Sequence, residues 1–437
     1  MYGVKITDIY EKTKTFNALF LNNKKINYLF THKISNFETQ MQKAYHYRIY
    51  PTPAQIQQIE RTFGVCRLVY NMALRIKKDA YREQQKNVSA YDLIKHLPGL
   101  KEECPWVAEV DSQALTASIL RMDAAYKKFF AGGGFPKFKN RRGKQSFAAP
   151  CNKREVDFEN QTLSIPKLKD IPIVISKRFK GDIKTVTITR VPSGKYFASI
   201  LVDNHIPLPK KQTIDPNKTI GIDLGLKDFA ITSDGRKFSN PKYLKEALDR
   251  LKCLQRRASR KKKGSSNRRK ANKRLAIQHE RVANKRKDFL HKLSTGLVND
   301  SQVTTICIED LAVKNMVKNQ KLAQAISDVG WAELRRMLQY KCDWSGKNLV
   351  VIGRFEPSSK TCSKCQAIND TLTLNDRDWV CASCGALHDR DINAAENIKQ
   401  FGLNNSGRGT PGEPVESRTL VWAKKQEYKK LTLEKGK

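Results

Sequence analysis

Two sets of residues in this chain have the types and spacing that chemistry requires. Cys362-Ser-Lys-Cys365 and Cys381-Ala-Ser-Cys384 form two CxxC pairs in one short window. Each pair can offer two thiolates to a single tetrahedral Zn²⁺, and four thiolates leave no open position, so such an ion would fold a finger instead of catalysing. His388 follows closely; with four sulfurs available it is not needed as a ligand and is expected at the surface or facing nucleic acid. The second set is acidic: Asp223 closes the apolar run TIGID, Glu309 closes ICIE, and Asp391 opens DINAAENI. Taken singly, acids at strand ends and helix starts are ordinary caps or solvated residues. Together they suit phosphodiester cleavage, in which two Mg²⁺ ions about 4 Å apart need hard oxygen ligands, one ion activating water and the other stabilising the leaving oxygen. Carboxylates packed so closely repel one another until cations arrive.

For these acids to meet, strands and a helix must carry them to one place. From Thr219 the pattern predicts strands over Thr219 to Ile222 and Phe229 to Thr232, then a long basic helical stretch over about 241–298. Strands over Val303 to Ile308 and Asn348 to Ile352 flank a further helix, and a last helix starts near Asp391. Strands alternating with helices imply an α/β sheet. Upstream, Tyr45 to Tyr50 alternates as a strand, and Thr52 with Pro53 reads as an N-cap and first-turn proline. Ile56, Ile59, Phe63, Cys66 and Val69 then recur on one helical face. Leu115, Ile119, Met122, Tyr126 and Phe129 make a second such face, which stops at Gly132-Gly133-Gly134. The period then changes to two, over Ile183 to Ile188 and Tyr196 to Val202, with a turn at Val191 to Gly194. A helical block is thus inserted into a small β-domain, and Pro207 to Pro216 is a linker. Residues 1–44 show no sustained period and contain Met41, which leaves a later translation start and a flexible extension both open. The tail from Phe401, rich in Gly, Ser, Pro and charge, is expected to be mobile.

The composition says what such a site would act on. The 437 residues include 82 Lys+Arg against 43 Asp+Glu, a formal charge of +39, and 39% are hydrophobic. That hydrophobic share excludes a disordered or fibrous chain, and the length suits about two or three domains. A charge of this size repels itself unless a polyanion is the usual partner, which puts DNA or RNA first. No stretch approaches the roughly 18–20 apolar residues of a membrane span, and the start lacks a signal peptide, so a cytoplasmic, nucleoid-associated protein is expected. Six of the ten cysteines are scattered singly, which fits a reducing compartment with one metal site better than a disulfide framework. Basic residues crowd between Arg250 and Lys292, among them Arg256, Arg257, Arg260, Arg268, Arg269, Lys273 and Arg274. A second patch, Phe135 to Phe147, interleaves aromatics with Lys137, Lys139, Arg141 and Arg142. Both are candidate phosphate or base contacts.

With these motifs in hand, the chain resembles TnpB, the RNA-guided DNA endonuclease family of insertion sequences and apparent ancestor of type V CRISPR effectors. The matching segments are AYHYRIYPTPAQ, FGVCRLVYNMAL, GFPKFKNRRGKQSF, TIGIDLGLKDFAITSDG, ICIEDLAVKNM, and CSKC with CASCGALHDRDINAAENI, from about residue 45 to 400. The resemblance implies a multidomain α/β protein with a RuvC-like nuclease domain of the RNase H fold over 216–358 and 386–400. It implies a target-nucleic-acid-binding zinc finger over 359–385, and a β-barrel wedge domain over 45–52 and 134–210 carrying a helical recognition unit at 53–133. Residues 1–44 would be an extension and 401–437 a tail. The catalytic, Mg²⁺-binding acids would fall on Asp223, Glu309 and Asp391, with Asp228, Asp310 and Asp389 as neighbours that the family pattern does not select. One structural Zn²⁺ would sit on the four cysteines. The partners implied are a guide RNA from the transposon end and a double-stranded target cut beside a short adjacent motif, by a monomer holding one RNA. Sequence reading is then delegated to base pairing, which agrees with the charge, and cleavage would promote retention of the element. A binding-only repressor and a transposase acting on element ends are the competing readings. One departure is Gln366, where glycine commonly follows the first CxxC.

Overall fold

In the computed structural model the described residues are 40–406, apart from 151–153, 321, 355 and 374–375; the extension over 1–39 and the tail over 407–437 lie outside them. The chain forms two compact units, one of Met1–Leu208 with Lys261–Ile277 and the other of Pro209–Arg260 with Gln278–Lys437.

The first unit opens on strand β1 (Gln40–Ile49), which starts earlier than its alternation suggested and buries Met41. Helix α1 (Pro53–Gln84) follows, with a capping box between Thr52 and Gln55. That pairing satisfies two backbone donors that the first turn leaves orphaned. Helices α2 (Ala90–Lys95), α3 (Leu97–Glu103), α4 (Pro105–Ala108) and α5 (Ser112–Phe130) complete the helical block. Ile59, Phe63, Cys66 and Val69 of α1 join Leu115, Ile119 and Met122 of α5 in one core. Strands β2 (Gln145–Ala149), β3 (Glu155–Asp157), β4 (Thr162–Ile165), β5 (Leu168–Val174), β6 (Asp182–Arg190) and β7 (Tyr196–Pro207) make a seven-stranded sheet with β1, in the order β2-β6-β7-β1-β5-β4-β3. All its pairings are antiparallel.

The second unit is built on a five-stranded sheet of β8 (Thr219–Asp223), β9 (Asp228–Thr232), β10 (Lys237–Ser239), β11 (Thr305–Glu309) and β12 (Asn348–Ile352), ordered β10-β9-β8-β11-β12. The first three strands form an antiparallel meander, while β8, β11 and β12 run parallel. Its helices are α6 (Tyr243–Ser259), α7 (Ser266–Asn299), whose first turns belong to the other unit, α8 (Val313–Met316), α9 (Ala323–Val329), α10 (Trp331–Ser345) and α11 (Arg390–Ser406). The basic stretch over 241–298 is therefore two helices, not one. Gly264 turns the chain at φ +87°, and the Ser265 hydroxyl accepts from Arg268 N–H at 3.1 Å as a fresh cap. Helix α11 runs past Phe401 to Ser406, so the last helix takes in the first residues of what the composition assigned to a mobile tail.

Strand alternation decides which side of this sheet each residue serves. Ile220 and Ile222 of β8, with Ile306 and Ile308 of β11, enter a core shared with Leu290, Leu293 and Leu297 of α7 and Leu334, Met337 and Leu338 of α10. The intervening Gly221 and Cys307 face α11. A Cβ on Gly221 would collide with the Ala395 carbonyl, and one on Gly402 would collide with Cys307 Sγ. Glycine at these two points lets α11 lie directly on β8 and β11. No helix among the described residues is long and apolar enough to cross a membrane.

Candidate metal centre and active site

Asp223 and Glu309 each lie two residues beyond a position that touches α11. The parallel register pairs Gly221 with Cys307 and Ile222 with Ile308, so the two acids end neighbouring strands at the same level and on the same face. Adjacent strands stand about 4.8 Å apart. Asp391 sits one turn before Ala395 on the stripe of α11 that meets Gly221, because residues four apart share a helix face. The Asp389 carboxylate caps that helix, accepting from the backbone N–H of Asp391 at 3.0 Å and of Ile392 at 3.2 Å. It also receives Lys237 Nζ at 2.6 Å. Asp389 is thereby committed to structure, and so is Asp310, which pairs with Arg335 at 2.6 Å and Arg354 at 2.5 Å.

Asp223 is enclosed and feels both of the other acids. Burial pushes the Asp223 carboxyl up to about 7, and the charges of Glu309 and then Asp391 push the same way. Like charges crowded around an enclosed carboxyl are costly without a cation, and a set of three carboxylates suits a hard divalent ion. Glu309 is oriented by Ser358, whose hydroxyl donates to Oε1 at 2.6 Å. Asp391 is gripped by Arg377, one guanidinium nitrogen lying 3.0 and 3.2 Å from its two oxygens. Neither Ser358 nor Arg377 carries a spacing signal in the sequence; only contact with the acids marks them.

Asn393 and Asn397 form a second, polar stripe on α11. Their amides donate to the Thr361 carbonyl at 2.7 and 2.6 Å, Asn397 also donates to the Ser358 carbonyl at 2.7 Å, and Asn393 accepts from Ser363 N–H at 2.9 Å. One helix thus holds the segment that orients Glu309 and leads into the first cysteine pair.

The sulfurs of Cys362, Cys365, Cys381 and Cys384 all lie within 4.8 Å of one another. Two of the separations are 3.7 Å, Cys362 to Cys384, and 3.6 Å, Cys365 to Cys381. A Zn–S bond of about 2.3 Å makes the edge of a tetrahedron about 3.8 Å, so the donor set fits Zn²⁺. The two loops repeat one backbone pattern. Gln366 N–H donates to Cys362 O at 2.9 Å and Cys362 N–H to Ala367 O at 2.8 Å, as Gly385 does to Cys381 at 2.8 Å and Cys381 to Ala386 at 2.9 Å. Gln366 adopts φ +64° where Gly385 adopts +70°, so the departure at Gln366 keeps the glycine geometry. Backbone N–H groups of Cys384 and Ser383 pull the Cys381 thiol down to about 6, favouring the thiolate that a metal needs.

His388 corrects the sequence reading: it is 6% exposed, not a surface residue. The hairpin of β13 (Asp378–Val380) and β14 (Leu387–Asp389) pairs it with Trp379, their rings 4.8 Å apart. Its Nε2 lies 3.1 Å from Cys362 Sγ, so the ring supports a sulfur of the cluster.

The basic candidates divide. Lys137, Arg141, Arg142, Arg256, Arg257, Arg260, Arg269, Lys273 and Arg274 are exposed, whereas Arg268 is half-buried and donates to Lys261 O at 2.9 Å. Lys139 holds its ammonium 3.8 Å from the Tyr70 ring centroid, and its backbone pairs with the Asn71 amide at 2.8 and 2.9 Å. The basic loop is therefore pinned to α1.

Three family descriptions match the chain: "Probable transposase" over residues 199–320, "Cas12f1-like, TNB domain" over 331–398 and "Helix-turn-helix domain" over 41–86. In this chain the last range holds a strand and one long helix. A relative from Streptomyces pristinaespiralis, provisionally named an RNA-guided DNA endonuclease, is 40% identical over 90% of this chain and 98% of its own length. Another from Escherichia coli (strain K12), provisionally named RNA-guided DNA endonuclease InsQ, is 30% identical over 86% and 98%. Among solved structures, the Cas12f1 chain of a complex with sgRNA and target DNA matches with a TM-score of 0.52 and 14% identity, covering 82% of this chain and 99% of that one. That likeness is one of fold.

Proposed function

This chain belongs to the TnpB family of insertion-sequence proteins, and from that membership we infer that it is an RNA-guided DNA endonuclease. The observation that carries the reading is the gathering of Asp223, Glu309 and Asp391 at one end of the five-stranded sheet. Asp223, Glu309 and Asp391 would hold Mg²⁺, which when bound activates water and stabilises the leaving oxygen of a phosphodiester. The chain's own residues prepare that site. Ser358 orients Glu309, Asp389 holds the start of the helix that bears Asp391, and Arg377 holds the Asp391 carboxylate itself.

An antiparallel meander extended by two parallel strands is consistent with a RuvC-like domain of the RNase H fold. The four-cysteine finger would be a structural Zn²⁺ module for target nucleic acid, held to the nuclease core by Asn393 and Asn397. The first unit would provide the wedge and recognition parts, gripping guide RNA and the short motif beside the target. A net charge of +39 supports partners rich in phosphate, and such a protein would act in a prokaryotic cytoplasm, at the nucleoid. The test is a purified complex with the RNA transcribed from the element's end, given Mg²⁺ and a matching target. Cuts that require the guide support the reading, and guide-dependent binding without cuts would replace it with a repressor.

A further inference from the structure

A cavity of about 410 Å³ opens beside Glu309, on the α10 side of the sheet's end, away from α11. Its walls include Leu224 and Ile308 from the strand ends, Leu311 and Val313 from the segment after Glu309, and the buried Trp331 that starts α10. Its volume is in the range of small-ligand sites, about 300–1,000 Å³. Two guanidinium groups line it, Arg335 and Arg354, both half-exposed. Asp310 gives one carboxylate oxygen to each. Asp310 offsets one of these two cations, Glu309 lies at the cavity's edge on the acid cluster, and each guanidinium has five N–H donors, of which Asp310 engages one or two.

We propose that this cavity is a subsite for one unstacked nucleotide of the DNA strand being cut, its base against the apolar walls and a phosphate at Arg335 and Arg354. The inference rests on the nuclease reading. Three features favour this occupant. The cavity shares Glu309 with the acid cluster, so whatever fills it neighbours the reacting phosphate. Its apolar, partly aromatic lining suits the face of any base, which gives affinity without sequence preference. The paired arginines suit a phosphate and not a neutral or cationic ligand. The Asp310 pair is explained as well: it holds both guanidinium groups at the rim.

The test scans single abasic sites through the cut region of the displaced strand, which does not pair with the guide, using the assembled RNA–protein complex. The native protein should cut all the substrates at one rate save those abasic at one position, where the rate falls about tenfold. Ala332→Trp, at an exposed residue that lines the cavity, fills the space; it should cut more slowly and lose the abasic penalty while retaining guide-dependent target binding. Retained binding shows that the variant is folded. Uniform tolerance of abasic sites by a native complex that does cut, or an undiminished penalty in Ala332→Trp, would overturn the subsite. Failure to cut unmodified target would overturn the nuclease reading and the subsite with it.

Discussion

The hydroxyl of Ser358 donates to Oε1 of Glu309 at 2.6 Å, while the carbonyl of the same serine accepts from the Asn397 amide at 2.7 Å. One buried residue thereby ties an acid on β11 to the helix that carries Asp391. Groups that orient a metal-binding carboxylate typically matter by about 10–100-fold. Ser358→Ala should lower the cleavage rate by about tenfold and raise the Mg²⁺ concentration needed for half-maximal rate. Target binding should not change, and Ser358→Thr should restore most of the rate. A variant as fast as the native protein at limiting Mg²⁺ would show that Glu309 does not depend on this bond.

Close approach of α11 to the sheet makes two glycines indispensable. Gly221→Ala places a methyl group on the Ala395 carbonyl, and overpacking against backbone cannot be relieved by a rotamer change. We expect a loss of about 3 kcal/mol or more in denaturant unfolding. Gly296, exposed inside α7 with open space around it, is the control: Gly296→Ala should stabilise by about 0.5–1 kcal/mol. Equal effects of the two substitutions would contradict the packing described.

Acid crowding gives the protein a defined pH response. The carboxyl of Asp223 is raised by burial, then by Glu309 and Asp391, to about 7 from an ordinary 3.8. Its folded value lies above its unfolded one, so folding takes up a proton. The stability this supplies is complete below about pH 4 and is lost as the pH climbs to about 7. With Mg²⁺ left out and the zinc retained, the thermal midpoint should fall between about pH 5 and pH 8, and Asp223→Asn should flatten that fall and melt higher than the native protein at about pH 8. A lower melting temperature for Asp223→Asn at that pH would mean that the carboxylate is structurally required.

Zinc content tests the finger. Cys381→Ser should reduce bound zinc and destabilise the Thr361–His388 region, since metal affinity and folding are coupled in such modules. His388→Ala should keep the zinc but weaken it, because the contact to Cys362 and the packing on Trp379 are lost while all four sulfurs remain. Unchanged zinc stoichiometry and stability in Cys381→Ser would exclude the four-sulfur site.

Much of this arrangement is legible in the sequence where residue type and period coincide. Thr52-Pro53 marks a helix start because capping and proline geometry are local, and TIGID and ICIE read as buried strands because continuous apolar runs are unusual elsewhere. Asp223, Glu309 and Asp391 stand out by where those runs end and DINAAENI begins. His388 was misplaced because its burial depends on the register of a hairpin whose strands have three residues each, too few to show a period. Between Glu155 and Val174 the first two strands are three and four residues long, and the seven-residue third is broken by Lys169, Asp170 and Pro172, so none shows a clear period. Arg377 and Ser358 gain meaning only from tertiary contact, which no spacing rule encodes. The break at Gly264 was hidden by uniformly basic flanks, in which charge masks the weak apolar period.

Asp223, Glu309 and Asp391 are expected to cut DNA at the direction of an RNA. The most direct measurement expresses the protein with its flanking DNA, sequences the RNA that copurifies, and incubates the complex with Mg²⁺ and a target library randomised beside the matching sequence. We predict cuts that follow the guide, cluster beside one short motif, and vanish in Asp223→Ala while target binding persists. Tight guide-dependent binding with no cut, or cutting that survives Asp223→Ala, would contradict the account.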